Sequence, residues 1–462
     1  MTTKEIMEKK RNVQKSSDKK VSDILKIFLK LGQEFTNEKE SFQAIESLYR
    51  NLDEYQKERF FKDIIVRIEI SIENLQPLLD ELSACSKDDL KLSVVLSELR
   101  SNIVSPRLNI FRKIAHLPGG LKFLLDFRGD ILSIQRFSKN NLTPIESDLT
   151  LLFELWFQEG FVYLEEITLD SSYRQIEFIK KSDLVHPMIS IEEMGQRLGN
   201  DRKCFALYHR LIPYEPIVFI EVALAKGIIR NIYEIINVGE NRTGKKDADT
   251  AIFYSINSTQ NGLTGLGMGK MLIGQVVDYL KKENEQIKRF VTLSPLPGFW
   301  KDYFKPILEG KDERFILKHT DIPSYFTKKQ QESVMAYSEL NKLNTDNFHA
   351  ALISILSDES WSEEKELIEC LHDPLINIAY TYITKEKNPK NKPLNPVTNF
   401  HMDNGAKVSL KNINFLGNPS SKGLKDSCGT MVNYIYTPDW LTRVRRSLKR
   451  FYKMDIKQSR LI

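Results

Sequence analysis

Asn261-Gly262-Leu263-Thr264-Gly265-Leu266-Gly267-Met268-Gly269-Lys270 decides how this chain is read. The run Ala251-Ile252-Phe253-Tyr254-Ser255-Ile256 before it is apolar and reads as a buried strand. Behind it, Met271, Leu272, Ile273, Val276, Val277 and Leu280 recur at helical spacing. Glycines at alternate positions therefore mark a strand-to-helix junction. Glycine carries no side chain to keep a ligand away from the backbone N–H groups. A helix N-terminus adds unpaired donors and the positive end of its dipole. The pattern points to a bound phosphate or pyrophosphate. A tight turn that needs glycines for its own geometry is the plainer alternative.

Two well-known phosphate loops do not fit. A Walker loop requires Ser or Thr after its lysine, and Lys270 is followed by Met271. In the dinucleotide fingerprint the third glycine comes one residue later than it does here. The stretch resembles instead the coenzyme-A pyrophosphate loop of the GNAT acetyltransferase superfamily, Arg/Gln-Gly-x-Gly-x-Gly/Ala. Thr264 stands at its first position, which removes a side-chain donor and keeps the backbone cradle.

The 462 residues are enough for two or three domains. Hydrophobic content of 41% and charged content of 28% are those of a soluble globular protein. A net charge of +5 over this length does not call for nucleic acid, and an anionic small molecule accounts for a local basic site. Cys85, Cys204, Cys370 and Cys428 form no Cys-x-x-Cys pair, which argues for a reducing compartment and against structural zinc. No apolar stretch is long enough to span a bilayer, so no membrane partner is expected.

Residues 1–20 are lysine-rich and apolar-poor, and read as a disordered basic tail. Glu5 and Glu8 tell against a mitochondrial presequence, and Ser459-Arg460-Leu461-Ile462 is not the peroxisomal signal. The expected compartment is the cytoplasm, with the mitochondrial matrix as the alternative. Residues 21–167 read as a helical bundle. Its apolar faces are Ile24/Leu25/Ile27/Phe28/Leu31, Phe60/Phe61/Ile64/Ile65/Ile68 and Leu75/Leu78/Leu79/Leu82. Breaks fall at His116-Leu117-Pro118-Gly119-Gly120 and Asn140-Asn141-Leu142-Thr143-Pro144, and Trp156, Phe157 and Phe161 read as core. Residues 168–462 change character. Strands are expected at Cys204–His209, Ile217–Leu224, Ala251–Ile256 and Phe290–Leu293, with a late one at Met431–Tyr436. Helices are expected at Glu364–Ile383 and, basic and amphipathic, at Trp440–Tyr452. The fold class is α+β: an all-helical N-terminal domain, then a mixed α/β domain.

Ser294-Pro295-Leu296-Pro297-Gly298-Phe299 sets a hydroxyl just past a strand end, where ligands bind in open α/β sheets. His401 lies in Asn399-Phe400-His401. Alone, the serine reads as a turn cap and the histidine as a structural hydrogen-bonder. Together with Trp156-Phe157-Gln158-Glu159-Gly160-Phe161, Val185-His186-Pro187, Leu394-Asn395-Pro396-Val397-Thr398 and Ser427-Cys428-Gly429, they resemble the malonyl-CoA decarboxylase family. The resemblance runs from about Pro118 to Tyr436.

That resemblance implies a helical domain followed by a catalytic domain of acetyltransferase-like fold. It implies catalytic Ser294 and His401, a coenzyme-binding loop at Thr264, Gly265, Leu266, Gly267, Met268, Gly269 and Lys270, and Tyr436 lining the site. Gly267 stands where animal members carry an acidic residue, which tells against a carboxylate behind His401. The implied substrate is malonyl-CoA, with no cofactor, and the implied assembly is a homo-oligomer, a tetramer. Loss of CO2 leaves electrons on C2 and the thioester oxygen. His401 is the expected acid because an unperturbed imidazole titrates near neutrality. Ser294 is placed to hydrogen-bond either the departing carboxylate or the thioester oxygen. A GNAT-type acyltransferase is the alternative, and it would need an acceptor cleft. A non-catalytic coenzyme-A sensor would leave the Ser294 and His401 motifs without a use.

Overall fold

A computed structural model describes residues 19–32, 37–70, 72–85, 90–183, 185, 190–199, 201–236, 247–343 and 346–437. The tail up to residue 18, His186, Pro187 and the expected helix Trp440–Tyr452 lie outside the described residues. Internal contacts divide the chain into two units. One holds the described residues up to Tyr163 together with Tyr208–Ile217 and Ser258–Met268. The other holds Leu164–Leu207, Val218–Asn257 and the described residues from Gly269 onward.

The first unit is built on helices. They are α1 (residues 19–31), α2 (Glu38–Arg50), α3 (Glu54–Arg67), α4 (Ile72–Ala84), α5 (Leu90–Asn102), α6 (Pro106–His116), α7 (Gly120–Gln135) and α8 (Thr143–Trp156). Asp53 caps α3 through a capping box with Gln56, the local signal that starts this helix. The α6–α7 turn needs its glycines: Gly119 has φ of 80°, and a Cβ on Gly120 would stand 1.7 Å from the Ile114 carbonyl oxygen. The first two apolar faces meet in an aromatic core of Phe28, Tyr49, Phe60, Phe61, Phe111 and Phe127, with Phe61 and Phe127 edge to face at 4.9 Å. Such a pair adds about 0.5–1.5 kcal/mol beyond its buried area. The third face, on α4, stays half-exposed, because α4 packs chiefly on α5.

Two expectations are corrected here. The helical pattern does not run to Ile167, since Val162–Ile167 is a strand, β1, whose β-branched ends Val162 and Ile167 are buried. Phe161 is not core: it is 47% exposed and stacks on Trp156.

After β1 come α9 (Tyr173–Ser182), α10 (Ile191–Arg197), β2 (Arg202–His209), β3 (Val218–Ala225), α11 (Tyr233–Ile236), β4 (Thr250–Ser258), α12 (Met268–Glu283), β5 (Arg289–Thr292) and β6 (Ser294–Pro295). A helical run follows: α13 (Lys305–Leu308), α14 (Lys328–Leu340), α15 (Phe348–Ser357), α16 (Lys365–Thr384) and α17 (Pro396–Asp403). The chain closes with β7 (Ala406–Lys407), β8 (Ile413–Asn414), α18 (Ser421–Ser427), β9 (Met431–Val432) and β10 (Ile435–Tyr436). The large sheet has seven strands in the order β1-β2-β3-β4-β5-β10-β7, and a small one has the order β6-β9-β8.

The mixed topology positions the site. β4 and β5 run parallel, with Phe253 opposite Thr292, and α12 is the crossover between them. Leu272, Ile273, Val276, Val277 and Leu280 give α12 its buried face. β10 returns antiparallel to β5. The late strand expected at Met431–Tyr436 is two short strands, because the chain changes sheets between them. β5 and β6 make the same change at Leu293, and Ser294 pairs with Val432 in the small sheet.

Candidate active site

The chain crossings bring distant residues together. Ser294 lies two residues after the end of β5, at the start of β6, and is buried. His401 comes from α17, whose start is tightly determined. Pro396 sits at the first helical position, and Asn395 caps it by accepting from the Thr398 N–H and Oγ1 at 2.9 and 3.1 Å. The Asn395 amide also donates to the Pro297 carbonyl at 2.9 Å, which ties α17 to the turn that carries Ser294. The result is a contact of 2.9 Å between Ser294 Oγ and His401 Nε2.

The other face of the ring is equally determined. Tyr436 Oη lies 2.9 Å from His401 Nδ1. Tyr434 stacks on the imidazole at 4.6 Å with 25° between planes, and its hydroxyl is 2.6 Å from Thr398 Oγ1. Ser294 also donates to Thr292 Oγ1 at 3.0 Å, and Thr292 accepts the Tyr434 N–H at 3.1 Å. Thr292, Thr398 and Tyr434 join the site beyond the residues that the sequence motifs mark. The sequence does carry signals for two of them: Thr398 precedes His401 by three, the same-face helical spacing, and Tyr434 and Tyr436 flank Ile435.

Burial pushes the His401 imidazole down to about 3, so the ring is neutral in the free protein. This corrects the premise that His401 keeps a near-neutral pKa; no spacing in a sequence reports complete desolvation. Burial also raises the Tyr434 and Tyr436 phenols, so both hold their protons. A hydroxyl stands behind His401 rather than a carboxylate.

The glycines of the loop divide their work. Gly265 and Gly267 have φ of 86° and 74°, and nothing lies within 4 Å of where their Cβ atoms would be. Both are left-handed positions that open outward. Gly269 is inside the first turn of α12, and a Cβ there would stand 2.6 Å from Phe400 Cζ. That glycine lets the ring next to His401 pack against α12. Lys270 follows it in the same turn; Thr264 is exposed, Leu266 half-buried and Met268 buried.

The helices of the first unit and the mixed sheet, with its crossover from β4 through the glycine loop into α12 and back to a parallel β5, define an α+β protein. Within that class the comparisons are specific. The family described as malonyl-CoA decarboxylase C-terminal domain matches residues 160–452, and the corresponding N-terminal domain matches residues 73–157. The chain belongs to the malonyl-CoA decarboxylase family. It is 34% identical over 340 residues to the mitochondrial malonyl-CoA decarboxylase of Anser anser anser, covering 72% of this chain and 64% of the goose protein. It is 32% identical over 362 residues to the Rattus norvegicus enzyme, covering 77% and 70%. The solved structure of malonyl-CoA decarboxylase from Agrobacterium vitis matches with a TM-score of 0.74 and 27% identity, over 92% of this chain and 95% of that one. The Rhodopseudomonas palustris structure matches with 0.72 and 26%, over 93% and 96%.

Proposed function

We propose that this protein decarboxylates malonyl-CoA to acetyl-CoA and CO2. The buried Ser294–His401–Tyr436 chain is the observation that carries the reading. In it, the helical domain ends before β1, the catalytic domain begins with that strand at Val162, and the loop from Thr264 to Lys270 receives the coenzyme pyrophosphate.

The chemistry follows from a neutral, dry histidine. The malonyl carboxylate is an anion, and bound beside His401 it raises the proton affinity of the ring. Substrate binding thus draws in the proton that the reaction consumes. The C–C bond to the carboxylate breaks, CO2 leaves, and the electron pair delocalises from C2 onto the thioester oxygen. With substrate bound, the Ser294 proton turns from Thr292 Oγ1 to the carboxylate or that oxygen; a fixed donor on a developing oxyanion contributes about 2.7–4 kcal/mol. His401 then gives its proton to C2 and returns to neutrality, so proton and charge balance. Tyr436 Oη, opposite Nδ1, steadies the ring through the change.

Incubation of the pure protein with malonyl-CoA alone tests the proposal. Release of CO2 with formation of acetyl-CoA, followed by mass spectrometry, is the expected result. An acyltransferase would leave malonyl-CoA intact without an acceptor. The same reading carries a homo-oligomer, a tetramer, which light scattering on the eluting protein measures. It places the enzyme in the cytoplasm, with the mitochondrial matrix as the alternative; the goose and rat relatives are named mitochondrial.

A further inference from the structure

Arg128 lies in the middle of α7 and is 3% exposed. An arginine buried to this degree needs its donors answered. Nε and Nη2 donate to Glu146 Oε1, and Nη2 also donates to Thr150 Oγ1 at 3.1 Å. Nη1 donates to the carbonyls of Gly262 and Thr264, the latter at 3.1 Å. All of its N–H groups are thereby engaged, two of them on the backbone of the glycine loop. The packing beneath is equally close: a Cβ on Gly262 would stand 2.0 Å from the Leu125 carbonyl oxygen, so this turn sits directly on α7.

We infer that Arg128 is a positioning residue for coenzyme binding, an inference that rests on the proposed function. In a trans peptide the carbonyl of one residue and the N–H of the next point in opposite directions. Drawing the Thr264 carbonyl onto Arg128 therefore aims the Gly265 N–H away from α7. Leu263, Thr264 and Leu266 use their own N–H groups inside the turn, on Gln260, Asn261 and Leu263. Among the described residues the Gly265 and Gly267 N–H groups have no such acceptor, and the space around both glycines is open. The helix thus holds the loop with its free donors outward before any ligand arrives, so the binding free energy is not diminished by ordering the loop. Arg128 never meets the coenzyme; it acts through the peptide planes that do.

The test uses the full chain and two substrates. Malonyl-CoA carries the pyrophosphate, whereas malonyl-N-acetylcysteamine is the same thioester without the nucleotide. Arg128→Met should raise KM for malonyl-CoA and the calorimetric Kd for free coenzyme A by about 10- to 100-fold, the value of a charge-assisted hydrogen bond. The loss should fall on KM rather than kcat, and kcat/KM for the truncated thioester should stay within about twofold of the parent. Arg128→Lys should fall between. Should the Met variant not fold, the Glu146→Gln/Thr150→Val pair loosens the guanidinium without emptying its site and should raise Kd in the same direction. Unchanged coenzyme affinity in the folded variants, or equal losses on both thioesters, overturns the inference. A parent inactive on both thioesters yet with coenzyme affinity that depends on Arg128 overturns the malonyl reading and keeps the role of Arg128.

Discussion

Ser294 Oγ donates to Thr292 Oγ1 at 3.0 Å, and this bond decides which nitrogen of His401 bears a proton. Thr292 accepts the Tyr434 N–H and directs its own proton to the Val432 carbonyl. With the Ser294 proton on Thr292, Ser294 Oγ faces His401 as an acceptor. Nε2 therefore carries the hydrogen of the neutral ring, and Nδ1 accepts from Tyr436 Oη. The nitrogen directed at the serine is then the one that donates.

Thr292→Val keeps the volume of the strand residue and removes the acceptor. The Ser294 proton should turn to Nε2 and shift the resting ring toward the Nδ1–H tautomer. We expect kcat to fall about 10- to 100-fold, the effect of losing an organising hydrogen bond at a buried site. Thr292→Ser should restore most of it. Nitrogen-15 shifts of the imidazole distinguish a tautomer change from simple loss of packing.

The depressed imidazole gives a pH signature. The free ring titrates at about 3 and is neutral over the working range. In the reading above, the bound anion raises that value. Binding then takes up a proton at any pH between the free and bound values, so affinity falls as pH rises through that window. KM for malonyl-CoA should increase as pH rises above the free value of about 3 and through that window. Calorimetry in buffers of different ionisation enthalpy should count a proton taken up by the parent and none by His401→Asn. Equal proton counts would break the link to His401.

Much of this arrangement is legible before any coordinates, because its signals are local. Alternate glycines after an apolar run announce a strand–loop–helix, and Asn395-Pro396 announces the start of the helix that carries His401. Phe127-Arg128-Gly129 announces nothing, since a mid-helix arginine usually faces water; its partners lie far along the chain at Glu146, Gly262 and Thr264. Thr292 looks like any strand threonine until Ser294 and Tyr434 converge on it through two chain crossings. The pKa of His401 depends on what covers the ring, a tertiary fact. Phe161 looks like core by composition alone, but the helix ends at Trp156 and leaves it outside.

Gly265 and Gly267 give a prediction about the backbone. An alanine with φ near the observed 86° or 74° is strained by about 1–2 kcal/mol, although neither Cβ meets another atom. The loop should relax by turning its N–H groups away. Each variant should keep its thermal midpoint within a few degrees and raise the Kd for coenzyme A about tenfold. Gly269→Ala should behave differently, because its Cβ would strike Phe400. It should cost thermal stability, and a variant as stable as the parent would show that Phe400 moves freely.

Glu221 controls an alkaline limb of stability. Burial and the neighbouring Asp183 push its carboxyl up to about 8, against the opposing pull of Arg197 and Arg202. The folded protein therefore keeps a proton that the unfolded chain has released. The stability from this group is full below the ordinary carboxylate value and is lost as pH rises through about 8. Glu221→Gln mimics the protonated form at every pH. It should match the parent near about pH 5 and exceed it above about pH 8, by on the order of 1–3 kcal/mol in denaturant unfolding. A parallel fall for parent and variant would assign the limb to other groups.

His401→Asn is the most demanding experiment on the chemistry. Asparagine retains approximate volume and some hydrogen bonding to Ser294 and Tyr436 but cannot carry the proton. If His401 supplies it, turnover of malonyl-CoA should fall by about 10²–10⁴-fold, the usual contribution of a positioned acid. Coenzyme-A affinity should barely change, because the loop donors belong to a separate element. Ser294→Ala should also slow turnover. The losses should not multiply in the double variant, since the two side chains share one hydrogen bond and one transition state. The run is made in heavy water, following CO2 release and deuterium in acetyl-CoA together. Parental CO2 release with normal deuterium uptake by His401→Asn would remove the residue from the mechanism. Slow release with intact coenzyme binding assigns His401 to the bond-breaking transition state, where its charge steadies the forming enolate. Rapid CO2 release with delayed deuterium uptake assigns it to protonation of C2 alone, after the enolate has formed.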